Sequence, residues 1–232
     1  MKESTPRWPL GSGKRIAHAL ACVVGFELWQ LLAFAFVFGV LRIAPADMWA
    51  GDPAVIINTI ISGSLAMVCA VWLCIVRLGR VSFRDLGWHA ERLGLSLGWG
   101  ILGALLLCAT VIGVLAASGA LSQTDVIGFI GGYTVRQRLL FLAVGASAAA
   151  VEESLFRGYL QPALAAKIGL VGGILVGAAV FSLYHLFMGP SLVNLCGKFA
   201  IGVILGSLRG RDRSLVAPIL AHFAMWQIFG SL

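Results

Sequence analysis

The chain has 232 residues, of which 59% are hydrophobic and only 12% are charged. A soluble domain carries about 25% charged residues, so this composition excludes an ordinary soluble protein because too few polar side chains remain to cover its surface. The apolar runs are continuous rather than alternating, which excludes a β-barrel. We therefore predict an all-α fold, a polytopic membrane bundle of about seven transmembrane helices that forms one integral membrane domain.

The formal net charge is +7. In a soluble protein this charge would favour nucleic acid as a partner. Here the lysines and arginines cluster in short loops between the apolar runs, which is typical of the cytoplasmic ends of membrane helices. We therefore expect the lipid bilayer and no nucleic acid as a partner, and a multi-pass location in the cell membrane (plasma or inner membrane).

Seven apolar runs follow one another along the chain. The predicted spans cover residues 16–41, 54–76, 93–118, 137–163, 168–187, 192–208 and 214–231. The first run is longer than the apolar part of a cleavable signal peptide, so we expect it to remain as a helix. Because the basic loops fall mostly on one side, we predict a cytoplasmic N-terminus. The segment 81–92 is the longest predicted cytoplasmic stretch, with Trp88 as an interfacial anchor.

Two adjacent glutamates, Glu152 and Glu153, lie within the fourth predicted span. A charged side chain at the membrane centre costs roughly 2.5–3.5 kcal/mol on insertion scales, so both are functional candidates. Glu153 and Arg157 are four residues apart on one helix face and can form an ion pair. Glu152 points about 100° away, toward a different partner. We assign a structural role to Glu153 and a chemical role to Glu152; alternatively, both neutralise internal cations such as Arg157 and Lys198.

The fourth and fifth spans are predicted to form a helical hairpin that turns near residues 166–169. Glu152 lies 17 residues before Gly169 and His185 lies 16 residues after it, so the two side chains should face each other at equal depth. The last span adds His222. Together Glu152, His185 and His222 indicate either a general-base site or a zinc site of two histidines and one carboxylate.

Three motifs occur in order along the second half of the chain. They are Glu152-Glu153-x-x-x-Arg157, then Phe181-x-x-x-His185, then His222 after a basic loop and Ala217-Pro218-Ile219-Leu220-Ala221. Their order and spacing resemble the CPBP family, the CAAX-processing and bacteriocin-processing intramembrane endopeptidases, also called type II CAAX proteases. The resemblance covers about residues 137–226, and Phe83-Arg84-Asp85-Leu86-Gly87 resembles the family's loop before its core.

The resemblance implies a glutamate-dependent, metal-independent hydrolase that cuts a peptide bond near the C-terminus of a lipidated (CAAX-type) or small peptide substrate. It divides the chain into N-terminal helices with a cytoplasmic loop (1–136) and catalytic core helices (137–232). Carried over, Glu152 activates water with the assistance of His185, Glu153 and Arg157 support this arrangement, and His222 stabilises the oxyanion. No cofactor is expected; zinc held by Glu152, His185 and His222 is the alternative.

One position departs from the family pattern. Four residues after the last histidine, where the family usually has an asparagine, this chain has Trp226. An indole can donate one hydrogen bond, so Trp226, the adjacent Gln227 and Asn194 on the sixth span are candidate donors to the oxyanion.

Two other functions are compatible with the sequence. A non-proteolytic membrane scaffold or bacteriocin-immunity protein would keep the same fold, and Trp226 favours this alternative. A small transporter would use the buried Glu27, Glu152 and Lys198 for proton coupling. Transporters often show internal symmetry between their halves, and none is evident here. Glu27 is otherwise expected to pair with Lys198 or Arg157.

Overall fold

The computed structural model describes residues 11–40, 42, 68, 70–120, 134–186 and 191–229. Within these ranges every regular element is helical and no strand occurs, in agreement with the predicted all-α class. The elements are α1 (Ser12–Phe34) with a π-helical continuation (Ala35–Val40), α2 (Ala70–Leu78, π-helical), α3 (Phe83–Leu86), α4 (Leu93–Ala117), α5 (Val135–Glu152), the π segment (Glu153–Leu160), α6 (Gln161–Tyr184), α7 (Leu192–Asp212) and α8 (Val216–Phe229).

Three stretches are long and apolar enough to cross a membrane, namely α4, the continuous stretch Val135–Tyr184 and α7. The shorter helix α8 is also apolar. These stretches support the prediction of a membrane protein. Most of the predicted second span, 54–76, lies outside the described residues, so the number of seven spans and the cytoplasmic N-terminus stay predictions.

The hairpin predicted near residues 166–169 lies within α6. Ile168 (φ −125°, ψ 15°) and Gly169 (φ 75°, ψ 167°) leave the helical conformation, and a glycine adopts this positive φ without steric cost. The two arms pack closely, because a Cβ atom on Gly173 would lie 2.8 Å from the nitrogen of Ala165. Gly177 likewise lies opposite Gln161. The arms are therefore antiparallel, with the chain reversing at the turn.

The bundle is held together by apolar side chains and by glycines at the helix contacts. Helix α8 packs mainly against α4 and α5, and α6 packs against α7. Phe156, Tyr159, Phe181 and Leu205 are almost fully buried between these helices. Close approach through small residues is the usual way in which membrane helices associate.

The segment around α3 is attached to the bundle rather than free. Leu215 donates its backbone N–H to the carbonyl of Gly87 over 2.8 Å. The indole of Trp88, predicted as an interfacial anchor, is 42% exposed and donates to the hydroxyl of Ser154 over 2.9 Å. The loop that resembles the family's pre-core loop is therefore connected directly to the π segment.

Candidate active site

Both glutamates are buried, Glu152 with 6% and Glu153 with 0% of its surface exposed. They lie where α5 ends and the π segment begins. At the end of this segment the backbone N–H of Gln161 donates to the carbonyl of Phe156, five residues earlier. Such widened turns within α-helices occur frequently at functional sites.

Glu153 has two partners on a single oxygen. Its Oε1 accepts from Nη1 of Arg157 over 3.1 Å and from Nδ1 of His222 over 2.9 Å. The ion pair predicted between Glu153 and Arg157 is therefore confirmed. His222, which was grouped with Glu152 and His185, lies within electrostatic range of both, but its hydrogen bond is to Glu153. Consecutive helical residues point about 100° apart, and α8 packs on the side toward which Glu153 points.

Glu152 faces His185. The Oε2 atom of Glu152 lies 4.0 Å from Nε2 of His185, which confirms the equal depth inferred from their distances to the turn. Nδ1 of His185 lies 2.8 Å from the carbonyl oxygen of Phe181. Because a carbonyl can only accept, Nδ1 carries the proton and Nε2 of the neutral ring has a lone pair. Among the described residues, Oε2 of Glu152 has no hydrogen-bond partner.

Phe181 lies at the centre of these groups. Its ring is 4.2 Å from Cζ of Arg157, and ring centroids lie 4.5 Å away for His185 and 6.3 Å away for His222. Arg157 also donates from Nη2 to the carbonyl of Gly202 over 3.4 Å. No role was predicted for Phe181 from the sequence, although its position four residues before His185, on the same helix face, indicates that the two side chains are neighbours.

Two further charged side chains lie within electrostatic range of Glu152, namely Lys198 on α7 and Glu27 on α1. Ion pairs of Glu27 with Lys198 or Arg157, which the sequence suggested, are absent from the part of the chain that the structure describes. Glu27 therefore adds a second carboxylate near Glu152. From the sequence, Lys198 was considered as an internal cation, as a partner of Glu27 and as a proton-coupling residue of a transporter, and not as part of a hydrolytic site.

The three candidate oxyanion donors lie in different surroundings. A Cβ atom on Gly145 would lie 2.8 Å from Cβ of Trp226, so this tryptophan packs against α5. The amide Nε2 of Gln227 donates to the carbonyl of Phe141, also on α5, over 2.9 Å. Asn194 lies in the first turn of α7. Their assignment as oxyanion donors stays a prediction, and Gln227 has another partner for its amide.

The zinc alternative requires three ligands around one point. Within the described ranges, no three His, Cys, Asp or Glu side chains are arranged to hold a metal ion. Nδ1 of His222 is engaged by Glu153, so only its Nε2 atom could serve as a ligand. The expectation that no cofactor is needed, and its zinc alternative, both stay predictions.

Residues 134–227 match the family model of the type II CAAX prenyl endopeptidases described as Rce1-like. No curated protein and no solved structure matches the chain significantly. The matched segment contains both glutamates, Arg157, both histidines and Lys198, and its family is one of proteases. The resemblance to the CPBP family is confirmed for this segment, and the chain carries an Rce1-like domain of that family.

Proposed function

We propose that the chain is an intramembrane endopeptidase that hydrolyses a peptide bond near the C-terminus of a lipidated, CAAX-type substrate, with water activated by Glu152. The observation that carries this proposal is the geometry between α5 and α6. A buried carboxylate oxygen without a hydrogen-bond partner among the described residues lies 4.0 Å from the Nε2 atom of His185.

This separation suits a single water molecule. Two acceptors 4.0 Å apart can both be reached by one water at about 2.8 Å from each, with an angle of about 90° at the water oxygen. Glu152 takes one proton of that water while Nε2 of His185 accepts a hydrogen bond from the other. The water oxygen forms a bond to the carbonyl carbon of the substrate, and the carbonyl oxygen becomes negative. The C–N bond then breaks, and the proton on Glu152 passes to the leaving amine.

Glu153 has a supporting role in this proposal. Its Oε1 accepts from Arg157 and His222, so a cation and a ring N–H hold its carboxylate in place. The same bond orients His222 and leaves only its Nε2 atom for the substrate. Arg157 in turn lies over the ring of Phe181. Rigid support of this kind keeps a catalytic group in productive geometry.

The location of the site favours a membrane-anchored substrate. Glu152 lies within the apolar stretch Val135–Tyr184, which is long enough to cross a membrane, and His185 follows directly after its last residue. Both side chains are at most 8% exposed, so bulk water has little access. A lipidated tail partitions into the bilayer and would approach these helices from the side.

The experiment uses purified protein in detergent and a farnesylated fluorogenic peptide ending in a CAAX-type sequence. We expect the wild-type chain to release a C-terminal fragment, identified by mass spectrometry. Glu152→Gln and His185→Ala should each lower the rate about 10²–10⁴-fold, the range for loss of a positioned base. Glu91→Gln is the matched control, since Glu91 is exposed before α4 and its loss should leave the rate unchanged.

Two outcomes would contradict the proposal. Wild-type protein that cleaves no lipidated peptide would favour the scaffold or transporter alternatives. Cleavage that persists in correctly folded Glu152→Gln protein would show that another group activates the water. Comparing peptides from cells that express the wild-type or Glu152→Gln chain would identify natural substrates.

A further inference from the structure

Lys198 lies at the same depth as the two glutamates. Nη2 of Arg157 donates to the carbonyl of Gly202, and Nε2 of Gln161 donates to the carbonyl of Gly206. Each of these bonds joins residues 45 positions apart, so the π segment and the start of α6 run parallel to α7 with a fixed register. The same offset places Lys198 level with Glu153.

The second arm of α6 gives an independent register. Ser182 donates its hydroxyl to the carbonyl of Leu195 over 2.7 Å. A Cβ atom on Gly202 would lie 2.8 Å from Cα of Ala178. This arm therefore runs antiparallel to α7, and Lys198, between Leu195 and Gly202, lies about one helical turn from the level of His185. Both arms of the hairpin place Lys198 beside the site.

The ammonium of Lys198 remains available as a donor. Among the described residues it forms no hydrogen bond and no ion pair, although Glu152 and His185 are within electrostatic range. Two nearby donors are already engaged: Arg157 binds Glu153 and Gly202, and Gln227 binds a carbonyl of α5. A flexible lysine with three donors can reach a substrate atom that these groups do not.

We propose that Lys198 is a catalytic residue that donates to the carbonyl oxygen of the scissile peptide bond as this oxygen becomes negative. The inference rests on the proposed function and adds a residue to it. A cation held at a site shielded from water stabilises developing charge far more than it would in bulk solvent. Its charge also balances that of Glu152, as Arg157 balances that of Glu153.

The test compares Lys198→Met, Lys198→Gln and Lys198→Arg with wild type. Lys167→Met is the matched control, since Lys167 is exposed beside the hairpin turn. Each is assayed on two farnesylated peptides that differ only in a C-terminal carboxylate or amide. We expect Lys198→Met to lower kcat about 10²–10³-fold on both peptides with KM within a few-fold of wild type. Lys198→Gln keeps a neutral donor and Lys198→Arg keeps the cation, so each should lower kcat by a smaller factor than Lys198→Met.

Values of kcat are taken on the plateau of each pH profile. A substitution that only alters the titration of Glu152 therefore does not lower the kcat that is compared. A rise in KM confined to the carboxylate peptide would overturn the proposal and show that Lys198 binds the substrate's C-terminus. Unchanged kcat in all three Lys198 variants, verified as folded by thermal unfolding, would also overturn it. Glu152→Gln is measured alongside: if only this variant loses activity, the proposed function stands and the role of Lys198 fails.

Discussion

The buried pair Glu153–Arg157 makes a quantitative prediction about stability. Glu153 is 0% and Arg157 is 2% exposed, and their atoms are 3.1 Å apart. Arg157→Met keeps an apolar side chain over Phe181 but leaves the Glu153 carboxylate with His222 as its remaining hydrogen-bond partner among the described residues. Removing one partner of a buried ion pair costs about 3–5 kcal/mol. For a protein of about this size the loss corresponds to a decrease of roughly 6–20 °C in Tm.

The double variant Arg157→Met/Glu153→Gln removes both charges. Since the penalty in the single variant comes mostly from an uncompensated buried charge, we expect the double variant to be more stable than the sum of the single variants predicts. The difference measures the coupling between the two residues. It should be at least 1 kcal/mol, in the range found for residues in direct contact.

The assay is thermal unfolding of the purified variants in one detergent, monitored by the near-ultraviolet circular dichroism of the tryptophans. Arg84→Met is the control because Arg84 is an exposed arginine on α3, and we expect its Tm to stay within about 2 °C of wild type, as for most surface substitutions. A Tm of Arg157→Met equal to that of Arg84→Met would refute the reasoning. If the changes in unfolding free energy of the two single variants add up to that of the double variant, the pair is not coupled.

Two further predictions concern packing and metal dependence. Gly145→Ala should lower Tm, because its Cβ would lie 2.8 Å from Cβ of Trp226 and 2.9 Å from Nε2 of Gln227, and overpacking costs about 1–3 kcal/mol. Gly113→Ala is the control: nothing lies within 4 Å of its Cβ, so its Tm should be unchanged or higher. Equal changes in Tm for the two variants would contradict the contact at Gly145. Treatment with 1,10-phenanthroline should leave peptide hydrolysis unchanged, because no three ligands are grouped in the described part of the chain; inhibition that added zinc reverses would support the metal alternative instead.

Much of the site could be predicted because its determinants are local. The pairing of Glu153 with Arg157 follows from a four-residue spacing within one helix. Glu152 and His185 were predicted to face each other because they are nearly the same number of residues from the turn at Gly169. In an antiparallel hairpin, residues equally far from the turn lie at the same depth. Neither inference required knowledge of how distant helices pack.

Other features depended on packing between helices. The sequence grouped His222 with Glu152 because both are polar residues inside the bundle, but helix α8 could present this histidine to either glutamate. Nor could the sequence show that α8 contacts α5 at Gly145 and Phe141, where the amide of Gln227 donates to the carbonyl of Phe141. A helix specifies which residues share a face, and not which neighbour covers that face.

The sequence by itself determined that this is an all-helical membrane protein, that two glutamates interrupt an apolar helix, and that one of them faces His185 across a hairpin. Composition, helical periodicity and distance from a turn are sufficient for these conclusions. Only the tertiary structure decided that His222 lies on Glu153 and that Lys198 lies level with both glutamates. The reason is physical: these positions depend on the register between helices far apart in the chain, and close contacts through small residues such as Gly202 and Gly206 set that register.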